Sequence, residues 1–243
     1  MVTLSPLGFN RSELTARYAS PVLEEDAWHS YSGLQTLKIA SRFLDDLKDK
    51  TTWLLNAGAG IYEVSAGRCR EVSLDLFAGP IHGRLYPVCG SVEHLPFPDR
   101  TFACAVCVGE VLGYCDPAKA ISELARTVQP DGTLICDFRN SRGFRHWFTR
   151  SFGRAADLVM DEYNAAPERA WIYDPRYIKS LLTSYGFDIR AEIGIHTWSA
   201  FARRCGAPIS TALAVQRALE RLPLPAAFAD ITTIVASRNG SAK

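Results

Sequence analysis

The pattern of hydrophobic and polar positions changes after residue 50. Up to that point, apolar residues recur at helical spacing with charged residues between them, at Leu34, Leu37, Phe43, Leu44 and Leu47. This spacing predicts an amphipathic helix within a helical N-terminal cover formed by residues 1–50. Beyond residue 50, short apolar runs alternate with helical patterns. Such alternation favours a parallel sheet whose strands are joined by crossover helices.

Seven apolar runs after residue 50 are predicted to be strands: Thr52–Asn56, Glu71–Leu76, Tyr86–Cys89, Phe102–Val108, Thr133–Phe138, Phe187–Ile193 and Ile231–Ser237. Helical periodicity marks Ala118–Val128 and Asp174–Tyr185, and turn residues occupy 129–132. We therefore expect a single doubly wound α/β domain over residues 51–243, with a seven-stranded, mostly parallel sheet.

Two stretches interrupt the alternation and are predicted to be insertions, at about 140–175 and 200–225. The first is rich in aromatic residues and in arginine, and we expect it to form a lid. Its arginines, with the one just before it, are Arg139, Arg142, Arg145, Arg150 and Arg154. A solvated helix face is the favoured interpretation of this cluster. A site for a carboxylate or phosphate on a substrate is the alternative.

Charge and composition narrow the classes of partner. The chain has 27 basic and 26 acidic residues, a net charge of +1, which does not favour nucleic acid as a partner. No apolar run reaches the ~18 residues of a membrane span, and the N-terminus lacks the pattern of a secretory leader. The seven cysteines indicate reduced thiols, so a cytoplasmic protein without a membrane partner is expected. No metal site is predicted, and the oligomeric state stays open.

Two features after the first and second strands suit a nucleotide-type ligand. Gly58 and Gly60 follow the first strand, where glycines let the backbone approach a ligand closely. Asp75 ends the second strand, where a carboxylate can accept hydrogen bonds from ribose hydroxyls. Each feature alone also fits a plain tight turn or a helix cap.

A third stretch makes the interpretation specific. Residues 90–102 read GSVEHLPFPDRTF and lead into the fourth strand, which is followed by GEVL at 109–112 and by ISELARTVQPDGTL at 121–134. This order and spacing resemble the class I S-adenosylmethionine-dependent methyltransferases of the small-molecule type. The similarity runs almost continuously over residues 53–138, with a weaker echo in YIKSLLTSYGF at 177–187. The resemblance implies methyl transfer, with S-adenosylmethionine as cofactor and a small molecule as acceptor.

The resemblance also implies which residues form the cofactor site. Gly58 and Gly60 would lie against the methionine part, Asp75 would hold the ribose, Ser91 and Val92 would flank the adenine, and Val108, Gly109 and Glu110 would face the sulfonium. Asn56 is also expected to contact the cofactor, in the place of an acidic residue of the family. Tyr62 takes the place of a third glycine, and Ser91 that of a carboxylate. Only about nine residues between Gly60 and the second strand remain for the first crossover helix, fewer than such a connection prefers.

Candidate acceptor-side residues come from the N-terminal cover, the fourth strand and the insertions: Trp28, Tyr31, Tyr114, His146, Trp147, Tyr163, Tyr173 and His196. His146 and His196 are the candidate general bases, and Tyr114 is the third candidate catalytic residue. For each aromatic residue a packed core position is the alternative, and for each histidine a structural role.

The function favoured by these residues is methyl transfer to O, N or C of a small metabolite, in the manner of natural-product biosynthesis. Two alternatives follow from the changes in the cofactor loop. One is an enzyme of the same fold that catalyses a cyclisation or rearrangement without methyl transfer. The other is a non-catalytic partner with a degenerate cofactor pocket.

Overall fold

The computed structural model describes residues 26–44, 51–65, 69–163, 166–222 and 225–240, without the side chains at 162, 163 and 166. The N-terminal part of the helical cover expected over residues 1–50 therefore lies outside the described residues, as does its end. The described part of that cover is one helix, α1, which spans Ala27–Leu44.

Seven strands form the central sheet, in the order β3-β2-β1-β4-β5-β9-β8. Their bounds are Trp53–Ala57 (β1), Arg70–Asp75 (β2), Tyr86–Cys89 (β3), Phe102–Cys107 (β4), Val128–Arg139 (β5), Phe187–Ile195 (β8) and Ile231–Arg238 (β9). Neighbouring strands from β3 to β5 pair in parallel, whereas β9 runs antiparallel to both β5 and β8. The predicted seven-stranded, mostly parallel sheet is confirmed.

Helices cover the sheet on both faces, as the alternating pattern predicts. After α1 come α2 (Pro117–Thr127), α3 (Pro175–Ser184), α4 (Thr197–Arg204) and α5 (Ile209–Leu219). Ile121 of α2 and Ile178 of α3 pack into the largest apolar cluster together with Leu134 of β5. Leu44 of α1 belongs to a second cluster with Leu54 of β1. Among the described residues, no helix has the length and apolar character needed to cross a membrane.

The predicted turn at 129–132 lies inside β5 instead of before it. Phe102 pairs with Val128, but Cys104 pairs with Thr133, so the residues between them on β5 form a bulge. Asp131 adopts a left-handed conformation there, with φ 62°. Turn residues in the sequence thus mark a bulge, which interrupts a strand without ending it.

The insertion at 140–175 contains a second sheet that the sequence pattern did not predict. Strands β6 (Ala156–Tyr163) and β7 (Ala166–Tyr173) pair antiparallel, from Ala156 opposite Tyr173 onwards. A short 3-10 helix at Phe144–His146 precedes them. The insertion at about 200–225 corresponds to α4, which starts slightly earlier, and α5.

The connection between β1 and β2 contains no helix in its described residues. Turns and bends occupy residues 58–65 in place of the crossover helix. The short spacing noted in the sequence therefore removes this helix.

Candidate active site

Glycines with positive φ follow β1 and β4, which are neighbours in the sheet. Gly58, Gly60 and Gly109 have φ values of 73°, 48° and 85°. A Cβ placed on Gly60 or Gly109 would meet no atom within 4 Å, whereas one on Gly58 would lie 2.3 Å from a methyl carbon of Val111. Gly60 and Gly109 thus leave backbone open to a ligand, and Gly58 allows the loop to pack closely on the segment after β4.

Asp75 holds the loop after β1 in place. Its Oδ2 accepts a hydrogen bond from the backbone N–H of Gly60 at 2.9 Å, and its Oδ1 accepts one from Phe77 at 3.0 Å. The carboxylate lies at the end of β2, next to the open turn at Gly60. Each carboxylate oxygen has a second lone pair, so Asp75 can orient the loop and still accept a hydrogen bond from a ligand hydroxyl.

Asn56, expected to contact the cofactor, is used within the protein. It is buried, and its amide Nδ2 donates to the carbonyl of Tyr62 at 3.0 Å and to Oε1 of Glu71 at 2.8 Å. Glu71 also accepts hydrogen bonds from the backbone N–H groups of Val64 and Ser65, at 3.1 and 2.8 Å. The sequence pattern does not single out Glu71, whose only signal is one acidic residue at the start of an apolar strand. The Glu71 carboxylate places a negative charge directly next to Asn56.

Ser91 and Val92, the predicted neighbours of the adenine, follow β3. Ser91 is half-buried, and its Oγ accepts a hydrogen bond from the backbone N–H of Glu93 at 3.2 Å. The Val92 side chain is buried in the main apolar cluster. Only the backbone of Val92 is thus available to a ligand.

The turn after β4 is held by a buried carboxyl group. Asp137 of β5 accepts hydrogen bonds from the backbone N–H groups of Gly109 at 3.1 Å and Glu110 at 2.7 Å. Glu110 adopts a left-handed conformation, with φ 64°. Burial, with a smaller contribution from the Glu110 carboxylate, raises the pKa of Asp137 to about 7. Val108, just before this turn, packs its half-buried side chain against the cluster beneath α1.

The Glu110 side chain forms an ion pair with Arg139, at the end of β5. The buried Arg139 guanidinium also contacts Asp161 at 2.8 Å and Glu168 at 3.1 Å, both on the β6–β7 hairpin. The hydroxyl of Tyr114 donates a hydrogen bond to Glu168. Arg139 thus joins the turn after β4 to the hairpin, and Tyr114 lies on the same network.

Two other arginines of the predicted cluster, Arg142 and Arg145, do not lie on a solvated helix face, whereas Arg150 and Arg154 are exposed. Arg145 contacts Asp161 at 2.6 Å and Asp230 at 3.3 Å, and Arg142 contacts Asp174 at 2.7 Å. These guanidinium groups are therefore already paired with carboxylates of the same chain. This pairing weakens the alternative of a site for a substrate carboxylate or phosphate.

His146 lies at the end of the 3-10 helix that follows β5, and its side chain is half-buried. Burial lowers its pKa, and the positive charge of Arg145 acts in the same direction, against the opposing effect of Asp230. The imidazole is therefore neutral at pH 7 and can accept a proton. His146 follows the carboxyl end of β5, so it lies at the same edge of the sheet as the Arg139 network.

His196, the second predicted base, is fully buried beneath α1. Its Nε2 lies 2.9 Å from Oγ of Ser32, and its Nδ1 lies 2.8 Å from Oγ of Ser199. The ring stacks on Trp28 with centroids 3.8 Å apart, and burial lowers its pKa to about 4. Because both ring nitrogens are engaged inside the protein, the geometry indicates a structural role for His196 in docking α1. Tyr31 packs at the same place, with its centroid 4.9 Å from that of His196.

Of two further candidates for the acceptor side, the structure describes the side chain of Tyr173 but not that of Tyr163. Tyr173 is buried, and its hydroxyl donates to the carbonyl of Leu112 at 3.1 Å, which fits a packed core residue. The side chain of Tyr163 lies outside the described residues.

Comparison with known proteins agrees with this geometry. Residues 57–136 match the family model described as methyltransferase domain. The matched range contains the glycine turns after β1 and β4, and also Asp75. This third of the chain is thus similar to a methyltransferase domain, in agreement with the resemblance found in the sequence. The S-adenosylmethionine cofactor expected from the sequence agrees with the similar structures, one of which holds S-adenosylhomocysteine.

Individual relatives support the same assignment. The demethylmenaquinone methyltransferase of Corynebacterium kroppenstedtii is 28% identical over 159 residues, which cover 57% of this chain and 69% of the relative. The structure of 1,6-didemethyltoxoflavin-N1-methyltransferase from Burkholderia thailandensis, with 1,6-didemethyltoxoflavin and S-adenosylhomocysteine bound, is 17% identical. The superposition has a TM-score of 0.57 and covers 94% of this chain and 87% of the Burkholderia chain. The [4+2]-cyclase SpnF shares the fold, with a TM-score of 0.51 at 16% identity, over 83% of this chain and 82% of its own.

Proposed function

We propose that this methyltransferase transfers the methyl group of S-adenosylmethionine to an O, N or C atom of a small organic acceptor, as in natural-product biosynthesis. The observation that carries the proposal is the pair of open glycine turns, at Gly60 and Gly109, on neighbouring strands beside the Asp75 carboxylate. The relatives named for demethylmenaquinone and 1,6-didemethyltoxoflavin support a small organic acceptor.

The residues of the chain fit the cofactor in distinct ways. Gly60 and Gly109 present backbone without side-chain cover, Asp75 has carboxylate lone pairs for the ribose hydroxyls, and Ser91 and Val92 would flank the adenine. When bound, the cofactor supplies a methyl group on a cationic sulfur. The protein then has mainly to align the acceptor with that methyl group.

The acceptor side in this proposal is formed by the segment after β4, which contains Tyr114, and by the elements after β5. His146 is the base in this proposal, because its neutral imidazole can take the proton of an acceptor hydroxyl or N–H. The Tyr114 hydroxyl, which donates to Glu168, lies on this acceptor side. In this scheme Tyr114 positions the acceptor, and Arg139 positions Glu168.

The test begins with calorimetric titration of the protein with S-adenosylmethionine and S-adenosylhomocysteine. We expect micromolar binding of both, weakened at least tenfold by Asp75→Ala, because a hydrogen-bonding carboxylate contributes about 1.5–3 kcal/mol. Asp99→Ala is the matched control, because Asp99 is exposed and pairs only with Arg126 among the described residues. No binding of either compound would contradict the proposal.

The second part of the test separates methyl transfer from rearrangement. The protein is incubated with S-adenosylmethionine and a panel of ring hydroxyl, ring N–H and quinone acceptors. Acceptor-dependent formation of S-adenosylhomocysteine identifies methyl transfer. Conversion of an acceptor without that product would instead assign the site to a cyclisation or rearrangement.

A further inference from the structure

Aromatic side chains form an exposed patch next to the acceptor side, and we call Trp147, Phe148 and Phe201 the aromatic patch. Phe148 is 92% exposed and Phe201 is 42% exposed. The rings of Trp147 and Phe148 lie 6.1 Å apart. Large exposed apolar side chains that cluster in this way mark interaction surfaces.

The aromatic patch rests on a fixed base. Phe144 packs against Trp147 at 4.6 Å and against Phe201 at 5.3 Å between ring centroids. Phe228 stacks on Phe144 from a third element, at 5.2 Å. Arg204 of α4 donates a hydrogen bond to the backbone carbonyl of Trp147 at 3.1 Å, so the loop is also tied to the helix. Packing against these elements therefore holds Trp147 and Phe201 in place, and Phe148 extends from Trp147 into solvent.

Positive charge is concentrated around the aromatic patch. Residues 140–155 contain four arginines and no acidic residue, and residues 197–219 contain three arginines and no acidic residue, although the net charge of the whole chain is only +1. Arg150, Arg203 and Arg204 are exposed and form no ion pair with the described residues. These three arginines remain available to an anionic partner.

We propose that the aromatic patch, with Arg150, Arg203 and Arg204, binds the surface of a lipid bilayer that contains anionic lipids. Aromatic residues beside basic ones are typical of segments that insert into the interfacial layer of a membrane. Each arginine near an anionic surface strengthens binding by about fivefold. The expectation from the sequence of no membrane partner rested on the lack of a spanning segment, which interfacial binding does not require.

The ring arrangement favours lipid over nucleic acid as the partner. Successive bases stack on parallel aromatic faces. The planes of Trp147 and Phe148 are instead 77° apart, and those of Phe144 and Phe201 are 67° apart. Non-parallel rings suit insertion among acyl chains better than a row of stacked bases.

The position of the aromatic patch gives this binding a consequence for the acceptor. Trp147 and Phe148 directly follow His146. If the proposed acceptor side is correct, a bound bilayer lies beside it, so an acceptor dissolved in the membrane reaches the site without crossing water. Only this consequence rests on the proposed function, because vesicle binding is measured without cofactor or acceptor.

The test is co-sedimentation of the full chain with phosphatidylcholine vesicles, with and without phosphatidylglycerol, at low and high salt. We expect binding to the anionic vesicles that weakens at high salt. Phe148→Ser should reduce it about tenfold, since a large apolar side chain is then lost from the interface. The double variant Arg150→Gln/Arg203→Gln should reduce it at least tenfold.

Matched controls separate the patch from general surface effects. Leu85 is 81% exposed just before β3, at the opposite end of the parallel strands, so Leu85→Ser should bind as the parent does. Lys119→Gln removes an exposed charge on α2 and should also leave binding unchanged. Melting temperatures of all variants verify that they fold.

Several results would overturn the proposal. They are no binding of the parent to anionic vesicles, equal loss in the Leu85→Ser control, or unchanged binding in Phe148→Ser. A dimer that Phe148→Ser converts to a monomer would assign the aromatic patch to self-association. Binding to an RNA oligonucleotide that depends on Phe148, without vesicle binding, would assign it to nucleic acid.

Discussion

Asn56 and Glu71 join the neighbouring strands β1 and β2 through a hydrogen bond of 2.8 Å from the amide Nδ2 to the carboxylate Oε1. The Glu71 carboxylate also accepts hydrogen bonds from the backbone N–H groups of Val64 and Ser65, in a connection whose described residues contain no helix. A single buried acid thus organises the loop that a crossover helix would otherwise shape.

Replacement of Glu71 by alanine should destabilise the protein by about 2 kcal/mol, because buried donors lose their acceptor. The melting temperature should fall by about 6 °C for a chain of this size. Glu63→Ala is the control, because Glu63 forms only an exposed ion pair with Arg84 and should cost at most about 0.5 kcal/mol. Equal effects of the two substitutions, measured by urea unfolding, would contradict the role of Glu71.

Gly58 and Gly60 should differ in their tolerance of alanine. Both need a left-handed conformation, which costs a non-glycine residue about 1 kcal/mol. Gly58→Ala adds a collision with Val111, so it should cost at least about 2 kcal/mol in the free energy of unfolding, against about 1 kcal/mol for Gly60→Ala. Combining Gly58→Ala with Val111→Ala should recover the steric part of the loss, and a strictly additive double-mutant cycle would argue against that contact.

The buried His196 makes stability depend on pH. The pKa of His196 is about 4 in the folded protein and 6.5 in the unfolded chain. Between pH 4 and pH 6.5 the unfolded chain therefore binds a proton at this residue and the folded protein does not. Stability from this group is complete above pH 6.5 and is lost as the pH falls towards 4, by about 3 kcal/mol. Asp230, whose charge opposes this shift, and His29 and Arg145, whose charges add to it, are the other ionisable groups that act on the ring.

This dependence can be measured by urea unfolding at a series of pH values. His196→Phe keeps a ring that can stack on Trp28 and should flatten the profile between pH 4 and 6.5. His94→Phe, at an exposed position, should leave the profile as in the parent. A slope that persists in His196→Phe would show that other groups cause it.

His146→Gln tests the proposed base. A general base contributes roughly 10²- to 10⁴-fold, so kcat should fall by that amount while the affinity for S-adenosylhomocysteine stays within twofold of the parent. The parent's kcat should decline at acidic pH with an apparent pKa below 6.5, because burial lowers the pKa of His146. His94→Gln serves as the control. Full activity in His146→Gln would remove His146 from the catalytic scheme.

Arg139→Met should be the most destabilising of the arginine substitutions. It removes the buried cation of Glu110 and Glu168, while Asp161 keeps its contact with Arg145, and we expect a cost of about 3 kcal/mol or more. Arg145→Met should lower the free energy of unfolding by less, because the Arg145 side chain is 37% exposed. Adding Glu168→Gln to Arg139→Met should restore part of the loss in thermal unfolding, because one uncompensated charge is removed.

The sequence predicted the central sheet well because its strands are buried. A run such as that of β4 is apolar on both faces, and its limits therefore show in the local pattern. The hairpin of β6 and β7 escaped prediction because polar and apolar residues mix along it and no turn signal separates its strands. From its aromatic and charged residues, the sequence predicted only that this stretch is an insertion.

The candidate site was predictable where the backbone determines it. Gly60 and Gly109 follow their strands and Asp75 ends β2, as the sequence pattern predicts, while their roles towards the cofactor stay predictions. Glu71 and the Arg139 network were not found, because their roles depend on neighbours 15 to 29 residues away in sequence. Burial of His196 beneath α1 likewise follows from packing between distant segments.

The position of β9 has a consequence for the order of assembly. This strand is synthesised after all the other strands, yet it lies between β5 and β8 and pairs with both. Until it is made, β5 and β8 each expose an unpaired edge, and the sheet consists of two separate parts. The last strand pairings to form therefore include the long-range one between β5 and β9, one strand in from the edge of the sheet, and both open edges are exposed to edge-to-edge association until then.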